Sequence, residues 1–137
     1  MVKLIPGRRG SGKTKILLEA IRKAKDESKG NVVTIQIGKS LNAHVKHDIR
    51  LINIEDYDIT ECDAMHGFVA GIMASDYDCT HIFVDGILRI VGADRADMDK
   101  VAVMLDEMNK ISGEHTLVTL TFSADVSEIP DSIKKYL

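Results

Sequence analysis

At 137 residues, 45% hydrophobic and 28% charged, the chain is long enough for one core and too apolar to remain disordered, so a single domain over 1–137 is expected. A formal net charge of −3, few aromatics and no Trp exclude a globally basic surface and leave few rings to stack on bases, so nucleic acid is not an expected partner. No apolar run reaches the ~18 residues of a membrane span, no signal-peptide pattern opens the chain, and Cys62 and Cys79 form no C-x-x-C pair, so a reduced, cytoplasmic protein without a membrane span is expected.

The first element is "VKLI" (2–5), a short apolar run stopped by Pro6-Gly7, which predicts a buried strand. From Lys13 to about Ser28, Ile16, Leu17, Ala20, Ile21 and Ala24 recur at helical spacing, with Lys15, Glu19, Arg22 and Lys23 opposite. Gly30 suits the end of that helix. "NVVTIQIG" (31–38) predicts a second strand, rich in β-branched residues. The segment 39–48 is polar and has no clear period, and "IRLINI" (49–54) predicts a third strand. Asp63 is positioned to cap a helix over "AMHGFVAGIMAS", whose Gly67 and Gly71 suggest close backbone packing on the sheet.

"HIFVD" (81–85) predicts a strand ending in a carboxylate. Asp94 or Asp97 then starts a helix whose apolar face is Met98, Val101, Met104, Leu105, Met108 and Ile111, with Gly113 at its end. "TLVTLTF" (116–122) predicts the last strand, and Pro130 precedes a short helical tail. Strands alternating with helices predict an α/β fold: three layers, with a mostly parallel sheet of about five strands and helices on both faces.

Between the first strand and the first helix lies Gly7-Arg8-Arg9-Gly10-Ser11-Gly12-Lys13-Thr14, which fits G-x-x-x-x-G-K-[ST]. Such glycines let backbone amides approach a phosphate chain, and the helix start adds its partial positive charge. Lys13 then neutralises the β- and γ-phosphates and the Thr14 hydroxyl ligates Mg²⁺. Arg8 and Arg9 add cations to the loop, either solvated or in contact with nucleotide. Asp85, after an apolar strand, matches the element that holds the Mg²⁺ shell. ATP and Mg²⁺ are therefore the expected ligands. The guanine-reading N-K-x-D motif does not occur.

On these two motifs the chain resembles the P-loop NTPase superfamily, within it a small RecA-like or additional-strand ATPase. It is also similar to small bacterial proteins sometimes labelled twitching-motility retraction ATPases, without the large N-terminal domain and the acidic and histidine boxes of the true motors. The resemblance implies ATP hydrolysis, with a Glu directly after the Asp of the second motif. Here that place is Gly86, so slow hydrolysis is expected. Substitute groups are Glu55 or Asp56 after the third strand, as the water-activating base, and Ser123 or Asp125 after the last. Arg89 or Arg95 is either a surface ion-pair partner or an arginine finger across a subunit boundary.

The leading expectation is an ATP-binding protein with Mg²⁺-dependent, slow ATPase activity, acting as a switch or assembly component, in a homo-oligomer or with a protein partner. A small nucleoside or metabolite kinase, with 86–96 as a short lid, is the alternative. A non-catalytic nucleotide-binding interaction module is the third. The histidines at 44, 47, 66, 81 and 115 show no metal-ligand spacing, and Met98, Met104 and Met108 read as core filling.

Overall fold

Short runs of β-branched and apolar residues make strands that are buried on both faces, the pattern of a parallel sheet. In the computed structural model, which describes residues 1–137, these are β1 (Val2–Pro6), β2 (Asn31–Gln36), β3 (Arg50–Asn53), β4 (Cys79–Asp85) and β5 (Leu117–Phe122). They form a five-stranded sheet in the order β1-β5-β4-β2-β3, and every neighbouring pair is parallel. The helices are α1 (Lys13–Glu27), α2 (Cys62–Ser75), the single turn α3 (Ile87–Ile90), α4 (Met98–Ser112) and α5 (Asp131–Lys134). None is long and apolar enough to cross a membrane.

The three-layer α/β expectation holds. On one face Leu17, Leu18, Ile21 and Ala24 of α1 pack on Ile5, Val32 and Phe83, with Leu41 and Ile49 completing the cluster. On the other, α2, α4 and α5 cover Val2, Leu4, Val33, Ile35, Ile82, Val84, Val118, Leu120 and Phe122. The segment 39–48, which has no period, folds as turns anchored by the fully buried Leu41.

Several details differ from expectation. Ile16 is 51% exposed, and Leu18 occupies the core in its stead. With three apolar residues in succession at 16–18, spacing alone leaves the helix free to rotate by one position, and the sheet below decides. Ile111 is likewise exposed, whereas Ser112 is buried. The helix over 62–75 begins after Glu61, so Asp63 lies in its first turn and is not its cap. Gly67 and Gly71 are exposed, and a Cβ at either would meet no atom within 4 Å. α2 instead rests on Met65 and Val69, so close packing on the sheet does not explain its glycines. In the 86–96 segment Ile87, Leu88, Ile90 and Val91 are core residues, whereas Arg89 and Arg95 are exposed.

At the β1 edge the outward amides are occupied. Val2 N–H donates to Asn109 Oδ1 at 2.9 Å, and Leu4 N–H donates to the Tyr136 carbonyl at 2.8 Å.

Candidate functional site

Where β1 ends, Gly7 N–H donates to the carbonyls of Phe122 and Ala124 at 3.2 and 3.0 Å, which ties the loop to the end of β5. Ser11 N–H then closes a turn on the Arg8 carbonyl at 3.0 Å. Gly10 and Gly12 have φ of 82° and 92°, values that a Cβ disfavours. α1 follows with Gly12 as its N-cap. No side chain caps it, and its first turn holds no acidic residue. The amides of Gly10, Gly12, Lys13 and Thr14 donate to no protein acceptor. Unpaired donors at the positive end of a 15-residue helix make an anion cradle.

The Lys13 side chain runs back along this loop, and its Nζ donates to the Arg8 carbonyl at 3.0 Å. Burial lowers the Lys13 ammonium from its ordinary range, and the Asp85 carboxylate opposes that shift. Thr14 Oγ1 donates to Asp85 Oδ2 at 3.5 Å, which brings the loop and the end of β4 together. Thr121 holds the other carboxylate oxygen: its Oγ1 donates to Asp85 Oδ1 at 2.8 Å and accepts from Gly86 N–H at 2.7 Å. The hydroxyl's proton and one of its two lone pairs are thus used, and Asp85 is held between two elements.

Opposite the loop, the turn after β2 forms a wall. Glu55 Oε1 accepts from Gly38 N–H at 2.7 Å. Gln36 accepts from Leu41 N–H at 2.9 Å and donates to Asn42 Oδ1 at 2.6 Å. Between loop and wall lies a cleft of about 590 Å³, lined by Arg9, Gly10, Lys13, Thr14, Ile37, Ser40, Asp85, Gly86, Arg89, Thr121 and Ser123. Asp85 is the one carboxylate among them. Gly86 has a φ of 88°, and a Cβ there would approach Ile37 Cγ2 at 3.2 Å. The position after Asp85 is therefore shaped against any side chain.

The structure brings Arg9, Gly10, Lys13, Thr14 and Asp85 together around one cleft, and Gly7, Ser11 and Gly12 build the loop behind them. Arg8 points elsewhere, to Glu128 at 3.9 Å, and Arg95 pairs with the same carboxylate. Asp125 accepts from Ser127 N–H and caps a turn, whereas Ser123 reaches the cleft. Glu55, the expected base, follows β3 and does not itself line the cleft, but its carboxylate is held by Gly38 N–H at 2.7 Å on the turn whose Ile37 and Ser40 do. Asp56, its neighbour, is exposed on the turn after β3.

Thr121, Ile37 and Ser40 were not singled out from the sequence. Their role depends on which strands are neighbours, and the alternating threonines of "TLVTLTF" were the available signal for Thr121. Cys62 and Cys79 are free, and burial pushes both thiols above their ordinary range, which keeps them protonated. No model of a known protein family matches the chain, and neither does any curated protein.

Proposed function

We propose that the cleft binds a Mg²⁺–nucleoside triphosphate, ATP, in the cytoplasm and hydrolyses it slowly, so that the protein acts as a nucleotide-dependent switch or assembly component. The observation that carries this reading is the set of loop amides at Gly10, Gly12, Lys13 and Thr14 that donate to no protein acceptor, on a loop whose Lys13 and Thr14 line one cleft with Asp85. Phosphate oxygens are the acceptors that such donors lack. The hard oxygen donors Thr14 Oγ1 and Asp85 suit Mg²⁺, which keeps most of its waters and needs few protein ligands. When bound, it neutralises phosphate charge. The strand β5 between β1 and β4 supports the additional-strand ATPase resemblance.

Slow turnover follows from what surrounds Asp85. General-base catalysis needs a group within hydrogen-bond reach of the water, and no second carboxylate lines the cleft. The kinase reading is weakened because the 87–91 segment is packed into the core instead of arching over the loop.

The test is a turnover assay with products identified, on wild type beside Asp85→Asn. Slow, Mg²⁺-dependent release of free phosphate is expected. Asp85→Asn should raise the Mg²⁺ concentration needed for half-maximal turnover about tenfold or more, since even loss of a group that only orients a metal ligand costs that much. Label appearing on a metabolite or nucleoside would establish the kinase instead, and bound nucleotide without turnover would establish the interaction module. In the same assay Glu55→Ala should retain most of the activity. A fall of the ~10²–10⁴-fold order typical of a lost general base would establish Glu55 as that base.

A further inference from the structure

Arg89 is exposed, forms no ion pair with any carboxylate, and still lines the cleft. Its backbone is held firmly: Ile87, Leu88 and Ile90 are buried on either side of it. The guanidinium extends towards the turn after β2, where Nη1 lies 4.0 Å from the position a Cβ on Gly38 would take. That turn is pinned by Glu55 and Gln36, so the wall is in place before any ligand arrives, and Arg89 stands beside it on a fixed backbone with its guanidinium free to pair.

The cleft therefore carries positive charge at two ends. Lys13 and the loop amides stand on the β1 side, Arg89 stands beyond β4 near β2, and Asp85 lies between them. A phosphate chain whose inner groups occupy the loop has only its terminal group left to reach past Asp85. We propose that Arg89 binds this terminal phosphate from within the same chain, and so sets the preference of the site for triphosphate over diphosphate. This rests on the nucleotide reading above and assigns it a discriminating residue. A planar guanidinium fork suits a phosphate's paired oxygens, and it needs no second subunit to supply it.

The experiment is calorimetric titration of wild type, Arg89→Ala and Arg89→Lys with a non-hydrolysable ATP analogue and with ADP, each in excess Mg²⁺. The wild type should prefer the triphosphate. In Arg89→Ala the affinity for the analogue should fall about tenfold or more, the scale of a lost hydrogen bond to a charged group, with affinity for ADP unchanged. Arg89→Lys should keep part of the preference. An Arg89→Ala protein that retains the wild-type ratio, or loses both ligands equally, overturns the assignment and leaves nucleotide binding intact. A wild type that binds neither ligand overturns the nucleotide reading as well. Since Arg89 is exposed and unpaired, its replacement leaves the core untouched.

Discussion

Lys13→Ala is expected to leave the free protein folded and to abolish the rise in melting temperature that Mg²⁺–ATP gives the wild type. Lys13 is 9% exposed, and its one hydrogen bond is to the Arg8 carbonyl. Burial already disfavours its charge. Removing the ammonium therefore takes away a desolvated cation that contributes little to the fold, and the free variant should melt at or slightly above the wild-type temperature. Ligand at a hundredfold excess over Kd stabilises a protein by about 2.7 kcal/mol, which is roughly 10 °C for a domain of this size. Thermal melts of both proteins with and without Mg²⁺–ATP read the difference directly. An equal shift in the two would remove Lys13, and with it the phosphate-loop reading, from the account.

The largest effect on the fold itself should come from Phe122→Ala. Phe122 is fully buried in the cluster beneath α4 and α5, and lies opposite Pro6 in the β1–β5 register. Truncating a buried phenylalanine costs about 3–5 kcal/mol through lost burial and the cavity left behind. That is a large part of the ~5–15 kcal/mol that holds a typical domain together. Because the Phe122 carbonyl also accepts from Gly7 N–H, collapse around the cavity would shift the start of the loop. Urea unfolding should show the lowered midpoint, and nucleotide affinity should fall with it. A loss below about 1 kcal/mol would mean that the core re-forms around the gap.

The loop was legible in the sequence because everything it needs is local: glycines at fixed offsets, a strand before and a helix after. Asp85 was legible for a similar reason, as the polar end of an apolar strand. What stands around them is less legible, because the chain does not state strand order. β3 follows β2 in sequence and lies beside it at the far edge, whereas β5, last in the chain, enters between β1 and β4. That same insertion makes Thr121 the holder of Asp85, a contact across 36 positions that periodicity does not register. Arg89 illustrates the difference on a shorter scale. Its spacing from Asp85 was visible, but its reach into its own cleft depends on the turn α3 being sunk into the core. Ile16 and Leu18 exchanged places because an amphipathic pattern fixes a helix's face only as finely as its polar residues delimit it.

The occupied edge of β1 governs how copies of this protein could join. An open strand edge is a template for another chain's backbone. Here Val2 and Leu4 have already given their outward donors to Asn109 and Tyr136, and Pro6 has none to give. Sheet-to-sheet growth past β1 would first have to peel away the Tyr136 segment. The segment around Tyr136 therefore guards that edge as well as filling the core beside it.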